Sequence, residues 1–171
     1  MGLGQPRPAA SQESAPYTTR ETVLLLVAAV AGVGGLIHVG AAVDHAAEFP
    51  LYTGVFAALA TIQLMWAAMI LRRPSRRVLL FGCAFNLGII GLWAASRTVG
   101  VPIAPRPWVP EAVGVPDLLE TSGELVTVIA VWSVLMSTRM MVARTVAERV
   151  APALMTVLLL SVLYGVGAHA G

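Results

Sequence analysis

Leu51–Ala95 reads LYTGVFAALATIQLMWAAMILRRPSRRVLLFGCAFNLGIIGLWAA. Two apolar runs flank the segment Arg72-Arg73-Pro74-Ser75-Arg76-Arg77, in which four of six residues are arginine. Each run approaches the roughly 20 residues that a helix needs to cross the hydrocarbon of a bilayer. The runs are continuous rather than alternating, so they read as helices, whose backbone polar groups pair within the segment. Pro74 and Ser75 supply the turn between them. The stretch is therefore a membrane hairpin with a strongly basic tip.

The rest of the chain extends this pattern. Of 171 residues, 57% are hydrophobic and 12% charged, against about 25% charged in an average soluble domain. Mean hydropathy is +0.80. Further apolar runs are expected at about 23–43, 118–138 and 150–168, beside 51–71 and 78–95. Residues 1–20 carry Pro6, Pro8 and Pro16 among Ser, Gln and Gly and read as a disordered tail. The expected fold is all-α: one five-helix transmembrane bundle over 21–171. The first run is longer than the h-region of a signal peptide and is expected to remain as an uncleaved helix.

Orientation comes from arginine. All eleven basic residues are arginine, which reads first as coding bias, and nine of them fall in the tail, the 72–77 loop and the connection after the fourth span. Arg97 and Arg106 fall on the other side. Asp44, Glu48, Glu111, Asp117, Glu120 and Glu124 lie on or near that second side, as do His38, His45 and His169. The N-terminus is expected inside and the C-terminus outside, in the cytoplasmic membrane. The net charge of +2 gives no reason to expect nucleic acid, and the partners implied are the lipid bilayer, a second copy, or other membrane proteins. Cys83 is the single cysteine, so no intramolecular disulfide forms. It reads as a small buried apolar residue.

The candidate chemistry gathers outside. The first span ends His38-Val39-Gly40-Ala41-Ala42-Val43-Asp44-His45-Ala46-Ala47-Glu48. At about 100° per residue, His38 and His45 share a helix face about 10 Å apart along the axis. They cannot easily bind one ion together on a straight helix. Either the helix unwinds near Gly40, or one histidine is a ligand, or there are two ions. Glu120 and Glu124 share a face of span four. Imidazoles and carboxylates on facing helices suit zinc, iron, manganese or copper. The expected site is His38, His45, Glu48, Glu120 and Glu124. His45 with Glu48 is the surer pair, and His38 is the group reaching Glu124.

Plainer readings compete. Asp44, His45 and Glu48 also fit a solvated loop before Pro50, and Asp117 with Glu120 fits a helix-capping box. Glu124 is harder to explain in this way, because ionisable groups within a span are rare unless functional. Arg97 is expected either to complement its own helix dipole, to pair with Glu120 or Glu124, or to hold an anion. Gln63 and Asn86 are expected to bridge helices or line the same cavity. The five prolines between Val101 and Pro116 imply a stiff, extended lid over the outer mouth. Trp66, Tyr52 and Trp93 are expected at the interfaces. The small residues Ala28, Ala31, Gly32, Gly34 and Gly35 make span one the central helix.

Three uses are compatible with these residues. The first is binding of a metal ion or small polar ligand, the second a non-catalytic accessory subunit of a larger complex. The third is a b-type haem carrier with His38 and His169 as axial ligands.

The His38…His45…Glu48 run, Gln63, Asn86 and the Ser96-Arg97-Thr98-x-Gly100-x-Pro102 loop leading to Glu111, Gly114 and Asp117 resemble a group of small multi-pass bacterial membrane proteins, mainly of actinobacterial type. The likeness covers roughly residues 35–125. It implies membrane class and localisation, and carries no activity with it.

Overall fold

The computed structural model describes residues 19–47, 49–137, 152–153, 155–156 and 159–160. Within them lie α1 (Thr19–Asp44), α2 (Pro50–Arg72), α3 (Arg76–Thr98) and α4 (Val115–Met136). All four are long and apolar enough to cross a membrane, and the protein is accordingly a multi-pass membrane protein. The fifth expected span, 150–168, lies outside the described residues apart from the six just named. The 1–18 tail, Glu48 and His169 lie outside them altogether.

Chain chemistry sets the ends of these helices. Ser75 opens α3, its side chain accepting from the Val78 amide at 3.3 Å. Pro50 stands in the first turn of α2, where a missing N–H costs nothing. Gly114 precedes α4, and Asp117 reaches back to accept from the Gly114 amide at 2.8 Å. Asp117 thus fulfils the capping expectation. Glu120 does not belong to the cap and points elsewhere.

Each helix buries one stripe. On α2 the stripe is Ala60, Gln63, Trp66, Ala67 and Ile70, and on α3 it is Leu79, Gly82, Cys83, Asn86 and Ile89. These spacings of three and four follow the helical period. The remaining faces expose Leu, Ile, Met and Phe, as lipid contact requires. α1 packs most extensively on α2, and also on α4, while α3 packs on α4. Half of the most apolar window of α1 is buried, against 22–28% in the other three. The expected central position of α1 follows. Gly34 and Gly35 allow the close approach: an added Cβ would stand 2.7 Å from Gln63 Nε2 and 2.7 Å from Leu64 Cγ respectively. Gly32 meets nothing within 4 Å and takes no part.

α2 and α3 touch only sparsely. Near the arginine loop, the Trp66 indole occupies the space above Gly82, where any Cβ would collide with the ring. Its Nε1 donates to the Val78 carbonyl at 2.8 Å. Trp66 is fully buried, so the interfacial position expected for it is wrong. The signal missed was Gly82, which leaves room for a large ring across the hairpin. Val23, Val27, Val30, Ile70, Leu79, Ala130 and Val131 complete an apolar plug at this level.

Residues 99–114 form the lid. Its prolines do not produce an extended strap. Trp108 donates to the Val101 carbonyl at 3.3 Å and Ala104 donates to the same carbonyl at 3.3 Å, so the segment folds back in consecutive turns. Gly100 sits at φ +76°, with an added Cβ 2.5 Å from the Trp108 backbone. Only glycine suits both conditions. Val101 and Ala104 are buried beneath the fold.

Candidate functional site

The described residues bury five polar or charged side chains: His38, Gln63, Asn86, Glu124 and Thr127. They come from all four helices. Polar groups this deep require partners or a ligand. Asn86 is partly satisfied, its amide donating to the Gly82 carbonyl at 2.8 Å. Gln63, Asn86, Glu124 and Thr127 line one small cavity together with Glu120 and Gly34. Neither Gln63 nor Asn86 lines the larger cavity that His38 borders.

At the lid end of this column, His38 from α1 meets Glu120 and Glu124 from α4. One ligand atom from each residue lies within 4.8 Å of the others. His38 and Glu124 are each 3% exposed. His38 Nε2 stands 2.9 Å from Glu120 Oε1. That approach is short for two atoms, yet it lacks hydrogen-bond geometry. His38 Nδ1 and Nε2, Glu120 Oε1 and both Glu124 oxygens have no hydrogen-bond partner among the described residues. Two ligands at right angles around an ion, each about 2.0–2.1 Å from it, would stand about 2.9 Å apart. The three side chains stand close enough together that they could hold a metal ion.

Of the other expected ligands, His45 lies outside this cluster. The helix ends at Asp44, and the His45 ring stacks on Phe56 at 5.5 Å and meets Tyr52 edge-on at 5.4 Å. His38 also stacks on Phe56, at 5.8 Å. The two imidazoles thus share a face, as their spacing requires, and Phe56 stacks against both. Asp44 is exposed. Glu48, the expected partner of His45, lies outside the described residues. The pairing of His38 with the α4 carboxylates is the part of the expected site that the fold brings together.

Arg97 corrects a second expectation. It pairs with Glu111 of the lid and, at 2.8 Å, with Asp117 of α4. It does not pair with Glu120 or Glu124. Tyr52 of α2 donates its hydroxyl to Glu111 Oε1 at 2.6 Å, and the Glu111 amide donates to the Ser96 carbonyl at 3.0 Å. Tyr52, Glu111, Arg97 and Asp117 form a polar latch joining α2, the lid, α3 and α4. Sequence reading placed Tyr52 at the interface and gave Glu111 no role. Their meeting depends on how the lid folds back.

The latch stands between two spaces. On the lid side, a vestibule of about 490 Å³ is lined by Asp44, His45, Phe49, Pro105 and Pro116. On the other side, a cavity of about 110 Å³ runs between α2 and α3 and reaches His38, Glu120 and Glu124. Tyr52, Phe56, Arg97, Glu111, Asp117 and Glu120 line both. Trp93 lines the inner cavity, not a lipid interface, and its Nε1 is buried without a partner among the described residues. Comparison with protein-family models, curated proteins and solved structures returns no match to this chain.

Proposed function

We propose that this is a metal-binding protein of the bacterial cytoplasmic membrane. His38, Glu120 and Glu124 hold one divalent transition ion, zinc, iron, manganese or copper, near the extracytoplasmic face. The observation that carries this reading is the convergence of three ligand-type side chains from two helices, buried and without hydrogen bonds to one another. Leaving such atoms unpaired in an apolar bundle costs free energy that an ion would recover. Three protein ligands leave at least one coordination position for water or a small ligand. An ion so placed serves as a Lewis acid, so metal-assisted chemistry on a small molecule is within reach of the site.

The polar column supports binding in preference to conduction. It ends at the Trp66 plug, where Val27, Ile70, Leu79 and Val131 surround the ring. Arginine distribution supports the orientation: the 72–77 loop inside, the lid outside, the N-terminus in and a fifth span returning the C-terminus outside.

Metal analysis of the purified full chain after growth with each of the four ions tests the site. About one ion per chain is expected, falling severalfold in His38→Ala and Glu124→Gln while both variants remain monodisperse. An absorption spectrum of the same sample separates haem from a simple ion. A wild type that takes up no metal under any supplementation overturns the reading in favour of an accessory subunit. For orientation, Ser75→Cys and Arg106→Cys in a Cys83→Ala background should label differently in intact cells. The impermeant reagent should reach position 106 and spare position 75.

A further inference from the structure

The small cavity beside the ion site contains polar groups that an ion on His38, Glu120 and Glu124 does not reach. Gln63 of α2, Asn86 of α3 and Glu124 and Thr127 of α4 line it, together with Gly34 of α1. Each of those four polar side chains is at most 3% exposed. The free volume of the space is about 10 Å³. That is close to one water-sized sphere, roughly the least that holds a water molecule. A space of this size stays dry when its walls are apolar, and takes a water when buried polar groups need one.

What these walls need is donors. Gln63 Oε1 and both Glu124 oxygens are buried acceptors with no hydrogen-bond partner among the described residues. Asn86 already donates its amide to the Gly82 carbonyl at 2.8 Å. Gln63 Nε2 lies over Gly34, 2.7 Å from where an added Cβ would stand. Buried acceptors left in this way carry the full cost of lost hydration. The inference rests on the ion reading in one respect: an ion that takes one Glu124 oxygen leaves the other still accepting. The second oxygen of a metal-bound carboxylate is ordinarily held by a hydrogen bond, and that outer bond fixes how the ligand points.

We infer that one water molecule occupies this space, donating one hydrogen to Gln63 Oε1 and the other to a Glu124 oxygen. Size admits a single small molecule, and two acceptors call for a molecule with two donor hydrogens. Gln63 is then a positioning residue for the ion. It touches no metal, and through the water it holds the carboxylate that does. Two helices thereby become three in the support of the site, since Gln63 belongs to α2.

The test uses the full chain in lipid nanodiscs. A structure that resolves ordered water should show density between Gln63 and Glu124, in metal-free as in loaded protein. Gln63→Leu removes the acceptor and should weaken metal binding at least tenfold, while the metal-free melt stays cooperative. Gly34→Ala reaches the same bridge from another helix: its methyl group pushes the Gln63 amide aside and should weaken the ion in the same direction. At saturating copper, the electron paramagnetic resonance of the bound ion should differ between wild type and Gln63→Leu, which a role confined to packing would not produce. An empty space, a Gln63 amide bonded directly to Glu124, or wild-type affinity in both variants with an unchanged resonance overturns the inference. Ion bound without the water sinks only this inference. The water seen in a protein that takes up no ion sinks the ion reading, and with it the positioning role, and leaves the bridge.

Discussion

At the arginine-loop end, Trp66 fills the space that Gly82 leaves, and its one polar atom is bonded to the Val78 carbonyl. At the lid end, His38 and Glu124 are almost as deeply buried, yet their polar atoms have no hydrogen bonds among the described residues. One end meets the ordinary requirement of a packed interior. The other departs from it at a cost, and departures of this kind gather where a ligand is to be bound. On the proposed reading, stability and function stand at opposite ends of the same four helices.

The sharpest way to break that division is to attack the plug. Trp66→Ala should cost about 3–5 kcal/mol, the usual range for removing a buried large aromatic. A thermal melt of the detergent-solubilised protein would read it as a large fall in midpoint. A melt unchanged by this substitution would mean that the arginine-loop end carries little of the stability.

Arg97→Ala is next. It leaves Glu111 and Asp117 facing each other without a cation. The three side chains are only partly buried, so solvent moderates the loss, and about 2 kcal/mol is expected. A cysteine introduced at Arg106 should also react faster in this variant, because the lid has lost its side-chain tie to α3. If the melt falls but the labelling rate stays the same, the latch holds helices and not the lid. Tyr52→Phe removes a single hydrogen bond to Glu111 and should cost about 1 kcal/mol. Its melt should shift less than that of Arg97→Ala, with the same direction of change in labelling.

The smallest expected effect on stability belongs to the deepest carboxylate. Glu124→Gln keeps the shape and replaces a buried group that has no hydrogen-bond partner among the described residues. In metal-free protein the melt should move by less than about 0.5 kcal/mol, or rise slightly. Bound metal should nevertheless drop severalfold. A large loss of stability in metal-free Glu124→Gln would show that Glu124 supports the fold, and would erase the contrast between the two ends.

Much of this architecture was legible in the chain. Helix limits fall within four residues of the apolar runs wherever they are described, because a bilayer demands length and apolarity that few other settings demand. The depth of His38 and Glu124 was legible for the same reason, since a membrane span makes an ionisable residue conspicuous. Helical phase placed His38 and His45 on one face, and Phe56 touches both. Phase could not tell which histidine would meet α4, because that depends on how α1 and α4 cross. The same holds for Arg97. Four carboxylates line the cavity beside it, and only the folded-back lid selects Glu111 and Asp117. Tryptophan misled in two places. Trp66 and Trp93 stand near span ends and resemble interfacial anchors in sequence, while in space one is plugged over Gly82 and the other lines a cavity. The exposed tryptophans are Trp108 in the lid, at 65%, and Trp132 of α4, at 53%.

The latch also carries an order in time. Arg97 ends α3, whereas its two counter-charges lie further along the chain, in the lid and in the first turn of α4. The guanidinium reaches the membrane before either carboxylate has left the ribosome. Until Asp117 emerges, α3 is a span with an unneutralised cation at its rim, free to slide towards water. Once α4 arrives, that helix end is fixed in depth. Biogenesis should therefore treat α3, lid and α4 as one cargo. A stalled nascent chain exposed only as far as Pro110 should hold α3 in the bilayer less firmly, by alkaline extraction, than one exposed past Asp117.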